Sequence, residues 1–170
     1  MKKQMASKKG IVVTVINLVA ITGASFLLYA IPQNDPTTFI ITDYGNYLDG
    51  VKKIHEVLQE SIELEYQNMQ SGKISPQEYI AMTEVTSSQV TAQISEFVTS
   101  KPSEEWQTSY INYMDALKSF NSYIIETKVL ANMIENESNE EEMNKILEKI
   151  ESLKKESAEF VKISDQTRPD

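Results

Sequence analysis

From Ile11 to Ile31 the chain reads IVVTVINLVAITGASFLLYAI, 21 residues without a charged side chain. As a helix at about 1.5 Å per residue this run is roughly 30 Å long, the hydrocarbon thickness of a bilayer. The charges around it are lopsided. Lys2, Lys3, Lys8 and Lys9 precede it, Asp35 and Asp43 follow it, and the next basic residue is Lys52. The positive-inside rule then makes 1–10 a cytoplasmic n-region and 11–31 a transmembrane anchor, with the remainder outside the cytoplasm. Pro32 and Pro36, with Asn34 and Asp35 between them, stop the apolar helix and open a juxtamembrane linker over 32–45. The alternative is a cleaved signal peptide with Thr22-Gly23-Ala24 as its c-region, which would give a secreted domain. Cleavage there leaves Phe26, Leu27 and Leu28 close to the new N-terminus, and the apolar run exceeds the roughly 7–15 residues of a signal h-region. The anchor is the preferred reading.

Beyond the run stand 12 of the 16 basic residues and all 25 acidic ones, a balance of −13. Phosphate binding calls for a basic stripe, and only pairs such as Lys52/Lys53 and Lys154/Lys155 occur, in acidic surroundings, so no nucleic-acid partner is expected. The sequence contains no cysteine, which removes disulfides, thiol catalysis and thiolate metal sites. A single arginine, Arg168, and an abundance of Lys, Glu, Asn and Ile suggest an AT-rich bacterial genome. A cysteine-free exported domain points to a Gram-positive source.

Helical spacing dominates residues 46–163. Val51, Ile54, Leu58, Ile62, Tyr66 and Met69 form one stripe, widened by Val57 and Leu64, and Gly72 ends that helix. Ser75-Pro76-Gln77-Glu78 is a capping box with proline at the first helical position, and it starts a second helix with Tyr79, Met82, Thr86, Val90, Ile94 and Phe97 on its stripe. That helix is rich in Ser and Thr, which weakens its intrinsic propensity. After Lys101-Pro102-Ser103, about 30 residues of helix carry Trp106, Tyr110, Tyr113, Leu117, Phe120, Ile124, Ala131 and Ile134 at heptad-like spacing, interrupted at Thr127. Asn136 to Asn139 is a polar break, with Ser138 and Glu141 as a second capping-box candidate. A last helix bears Met143, Ile146, Ile150, Leu153 and Phe160, followed by a polar tail over 164–170. The expected fold class is all-α: an N-terminal transmembrane helix followed by an antiparallel, up-down-up-down four-helix bundle.

Chemistry-bearing sets are sparse. His55 is the only histidine, so paired Glu-x-x-His motifs and a multi-histidine zinc site cannot be built, and no catalytic residue, cofactor or metal is expected. His55 is expected at a solvated or boundary position, and Asp49, Glu56, Glu60, Glu63 and Glu65 mostly on an exposed face. The third-helix aromatics Trp106, Tyr110, Tyr113 and Tyr123 are expected chiefly as core, with Tyr123 off the main stripe and on an exposed face. With Ser87 and Thr91 of the hydroxyl-rich second helix they make up the candidate partner or ligand surface.

In architecture the chain is similar to small exported helical proteins of Gram-positive bacteria, which implies an anchored, non-catalytic interaction module with an envelope protein as partner. A homo-oligomer through Ala20 and Ala24 is a further option. From Ile11 onward it also resembles the anchored sensory modules of chemoreceptors and sensor kinases. Those continue into a second membrane helix and an output domain, so the sensor reading calls for a partner subunit.

Overall fold

A computed structural model describes Ile41 and residues 43–169. The expected anchor at 11–31 and most of the linker lie outside the described residues. The described residues form four helices: α1 (Tyr44–Gln70), α2 (Pro76–Ser100), α3 (Glu104–Glu135) and α4 (Glu140–Gln166). None of the described helices is long and apolar enough to cross a membrane.

Each helix starts and stops for a local reason. Asp43 caps α1, accepting from the Asn46 amide at 2.9 Å, so the helix begins two residues before the sequence-based boundary at 46. It ends in a Schellman motif, with Lys73 N–H donating to the Asn68 carbonyl and Gly72 N–H to that of Met69; Gly72 takes the required positive φ of 69°. The capping box at the start of α2 is present: Glu78 N–H donates to Ser75 Oγ, and Ser75 N–H donates to the Glu78 carboxylate. Between α3 and α4 the expected Ser138 cap is replaced by Asn139, whose side-chain Oδ1 accepts from the Glu141 amide at 2.8 Å. Ser138 is drawn instead into a second Schellman closure of α3, donating its N–H to the Met133 carbonyl. Glu140, Glu141 and Glu142 fill the first turn of α4, where the helix dipole favours negative charge.

Contacts fix the direction of each helix against its neighbours. Tyr47 meets Phe97 and Tyr66 meets Tyr79, so α1 and α2 are antiparallel. The Phe97–Tyr110 and Gln77–Glu135 pairs set α2 against α3 in the same sense. Ser109–Ser164 and Glu126–Lys149 do so for α3 and α4. Ion pairs Lys52–Asp165 and Glu63–Lys154 join α1 to α4. The helix α3 is therefore flanked by the other three, and it buries Tyr110, Tyr113, Ala116, Leu117, Phe120, Tyr123, Ile124, Leu130 and Ala131.

Burial corrects several expectations. The inward face of α1 is Leu48, Val51, His55, Leu58, Ile62, Glu65 and Met69, a repeat of seven. The expected stripe takes Ile54 instead of His55 and Tyr66 instead of Glu65, a shift of one position or about 100°, and widens onto Val57 and Leu64. Ile54, Val57 and Leu64 are in fact 42%, 45% and 51% exposed, and His55 and Glu65 are buried. Tyr123 is also buried, because α3 meets α4 along Ser109, Ala116, Tyr123 and Leu130 as well as α2 along its main stripe. Ile134, placed on that stripe, is exposed near the end of α3, and Ser164, placed in the tail, is a buried residue of α4. Thr127, which interrupts the stripe, is buried and accepts the Tyr79 hydroxyl at 2.8 Å.

Candidate functional site

At one end of the helices, the start of α1, the end of α2, the start of α3 and the end of α4 come together. Tyr44 and Tyr47 occupy the first turn of α1, Phe97 the last turn of α2, and Trp106, Tyr110 and Tyr113 successive turns of α3 at four- and three-residue spacing. The rings form a continuous set. Tyr44 lies 6.2 Å from Trp106 and 5.9 Å from Tyr110, the latter edge-on at 85°. Trp106 and Tyr110 are likewise edge-on, 6.2 Å apart at 82°. Phe97 sits 5.1 Å from Tyr110 and 5.8 Å from Tyr113, and Tyr47 stacks on Tyr110. These are preferred geometries for aromatic pairs. The Tyr110 hydroxyl donates to the Tyr44 carbonyl at 2.9 Å, which ties α3 to the first residue of α1. Burial raises the Tyr110 hydroxyl well above its usual range, and burial with the nearby Glu96 carboxyl does the same for Tyr47. These phenols stay neutral.

A cation closes the outer side of this set. Arg168, just past α4, donates from Nη1 to Asp49 Oδ1 at 2.7 Å and from Nη2 to the Gly45 carbonyl at 3.3 Å. Its guanidinium carbon stands 5.8 Å from the Trp106 ring centroid. The hydrogen bond from Arg168 holds the Asp49 carboxyl below its ordinary range. Gly45 is closely surrounded: a Cβ there would stand in ordinary van der Waals contact with Trp106 Cη2 at 3.4 Å and Arg168 Nη2 at 3.7 Å.

Further into the core, His55 contradicts its expected solvated position. It is 3% exposed, and its ring lies 4.7 Å from Phe120 and edge-on to Tyr113. Its Nδ1 shares a 2.9 Å hydrogen bond with the Tyr113 hydroxyl, and Nε2 is buried without a hydrogen-bond partner. Burial pushes the imidazole from 6.5 down to about 4, as expected where a second proton would find no acceptor. It is neutral at neutral pH.

The structure brings together three of the sequence-based candidates, Trp106, Tyr110 and Tyr113, and separates the others. Tyr123 stacks on Phe120 two turns away. Ser87 donates to Asn121 of α3 at 2.7 Å, and Thr91 is exposed with its hydroxyl donating to the Ser87 carbonyl of its own helix. Most hydroxyls on that face behave like Thr91: Ser88, Ser95 and Thr99 also donate to carbonyls one turn back. Sequence reasoning missed Tyr44, Gly45, Asp49 and Arg168. One signal was available, the presence of a single arginine in a lysine-rich chain. Among the described residues no group of three or more His, Asp or Glu side chains is placed to hold a metal ion. Neither family models, nor curated proteins, nor solved structures match this chain.

Proposed function

We propose that the chain is a membrane-anchored, extracytoplasmic interaction module of the bacterial envelope that works without catalysis. The topology rests on the uncharged run 11–31 with four lysines before it and aspartates after it. The interaction role rests on one observation above all: Ile54, Val57 and Leu64 lie along one outward face of α1, each about half exposed. An apolar strip of roughly three turns on a helix otherwise flanked by Lys53, Glu56 and Glu60 suits a partner helix. The balance of −13 beyond residue 31 favours a partner whose apolar face is bordered by basic groups.

The test places a photo-crosslinking residue at Val57 of the tagged full chain in its native membrane, with mass spectrometry of the captured species and of the chain's own N-terminus. The expected result is one defined envelope protein captured from Val57 and not from Glu159 of α4, with 11–31 retained. Equal, diffuse capture from both positions would overturn the interaction reading, and a processed N-terminus would replace the anchor with a secreted domain. Topology is read by labelling a cysteine at the exposed Glu159 with an impermeant reagent on intact cells; labelling only after lysis would reverse it.

The sensor alternative draws on a separate observation, the ring set of Tyr44, Trp106 and Tyr110 with a cation against it.

A further inference from the structure

The surroundings of Arg168 have the components that recognise a guanidinium. Trp106 offers a ring face, with Tyr44 tilted at 37° beside it and Tyr110 edge-on behind. Asp49 supplies a carboxylate oxygen and Gly45 a main-chain carbonyl, so two different guanidinium nitrogens are met by two acceptors. That pattern suits a planar, forked cation and not a compact ammonium. The acceptors are held from behind: Asp43 caps the helix that carries Gly45 and Asp49, and Tyr110 fixes the Tyr44 carbonyl. Lys52, one turn from Asp49, is engaged with Asp165 and leaves Asp49 to the guanidinium.

The cation now held is supplied by the segment that follows α4. Only Thr167 separates Arg168 from the last residue of the helix. The side chains of Arg168 and Asp49 remain 26% and 48% exposed, so the contact lies at the surface, where exchange with solvent is open. Surface ion pairs of this kind hold only weakly. A cation–π contact adds similarly little.

We propose that Trp106, Tyr44, Asp49 and the Gly45 carbonyl form a guanidinium-binding site, filled in cis by Arg168 and available to an external arginine when the segment after α4 withdraws. Arg168 then acts as a competing internal ligand, and its displacement couples occupancy of this site to release of the last turn of α4. The proposal rests on ring and hydrogen-bond geometry and is independent of the anchor and of the α1 apolar face.

Trp106 is the only tryptophan, so its fluorescence reports the site directly. The experiment titrates the full chain in detergent with methylguanidinium, and with methylammonium as the control cation, in the wild type, in Arg168→Ala and in Arg168→Ala/Asp49→Asn. The expected result is saturable binding of methylguanidinium to Arg168→Ala, about tenfold tighter than to the other two proteins, as loss of one charged hydrogen bond or one competing ligand would give. Methylammonium should bind no more tightly to Arg168→Ala than to the wild type. Nα-acetyl-arginine methylamide and free L-arginine separate the sources: tighter binding of the former indicates an arginine within a polypeptide, tighter binding of the latter a free amino acid, and either supports the site. Circular dichroism checks that each variant retains its helices, and Arg168→Gln, which keeps a long polar side chain, replaces Arg168→Ala if that variant unfolds. A linear, non-saturating response in the vacated variant, or an equal response after Asp49→Asn, would overturn the proposal.

Discussion

Two of the seams along which α3 is packed, those with α4 and with α1, are built on opposite plans. Against α4, it presents Ser109 and Ala116 to Ser164 and Ser157, and the helices come close enough for a side-chain hydroxyl on one to reach the main chain of the other. Ser157 donates to the Ala116 carbonyl and Ser109 to that of Ser164, both at 2.9 Å. Against α1, it presents Tyr110, Tyr113 and Phe120, large rings that hold the backbones apart and enclose a histidine. The first seam is fixed by small residues and main-chain acceptors. The second is fixed by ring packing, one buried neutral imidazole and three ion pairs from α1 toward α4 and the segment after it, Asp49–Arg168, Lys52–Asp165 and Glu63–Lys154. The two should therefore fail differently: the α1 seam to truncation and acid, the α4 seam to added bulk.

The largest expected effect is truncation on the α1 side. Phe120 is 2% exposed and packs on both His55 and Tyr123. Phe120→Ala should destabilise the protein by about 3–5 kcal/mol in denaturant unfolding, since rings deleted from a close-packed interior leave a cavity. A loss below about 1 kcal/mol would mean that α1 is not packed on α3 as described.

Acid should act next, again through α1. The folded-state value of His55, about 4, lies below its ordinary 6.5, so the unfolded chain binds the proton more readily. The stability contribution is complete above pH 6.5 and is lost as pH falls toward 4, by about 3 kcal/mol at most. Glu96 works in the opposite sense, because burial pushes its carboxyl up. The double variant His55→Leu/Tyr113→Phe removes both partners of the hydrogen bond and should flatten the stability profile between pH 6.5 and 5. An unchanged slope in that variant would assign the acid sensitivity to the carboxylates instead.

The same contrast explains what was legible in the sequence. Chain punctuation was readable because it depends on neighbours within one turn: the Ser75 capping box, Gly72 and the Lys101-Pro102 break all fall where local chemistry puts them. Large apolar residues of α3 were readable because burial is what their size favours. The serines of the α3–α4 seam were not, since Ser157 and Ser164 become interior residues only when a second helix comes near enough to accept their hydroxyls. His55 and Glu65 were misplaced for a related reason: a seven-residue repeat sets the seam, and polarity at two of its positions hid it. The ring set was partly visible as spaced aromatics, whereas its acceptors Gly45 and Asp49 and its cation Arg168 are separated by more than 100 residues and meet only in the fold.

A small-to-large change tests the second seam. Ala116 is fully buried and its carbonyl accepts from Ser157. Ala116→Leu should force α3 and α4 apart and cost about 1–3 kcal/mol, as overpacking of a filled interior does. The Ala116→Leu variant should also weaken protection of the Ser157 and Ser164 region in hydrogen exchange more than that of α1. Uniform loss of protection over all four helices would show that the seams are not separable in this way.

The smallest effect has the opposite sign and concerns the turn that joins the two helices of the tight seam. Glu137 sits at the position after the C-cap of α3 with φ of 51°, where Gly72 stands in the equivalent closure of α1. A residue with a Cβ is strained by about 1 kcal/mol in that left-handed region, and glycine is not. Glu137 is exposed and its side chain adds to an already acidic stretch. Glu137→Gly should therefore stabilise the protein by about 0.5–1 kcal/mol, the relief of strain being partly offset by the greater freedom of glycine in the unfolded chain. A small rise in the melting temperature with unchanged unfolding cooperativity is the expected readout. A fall would mean that the α3–α4 turn is held by the flanking helices so firmly that its own conformational preference no longer matters, which would make the close seam, and not the loop, the element that determines how these two helices meet.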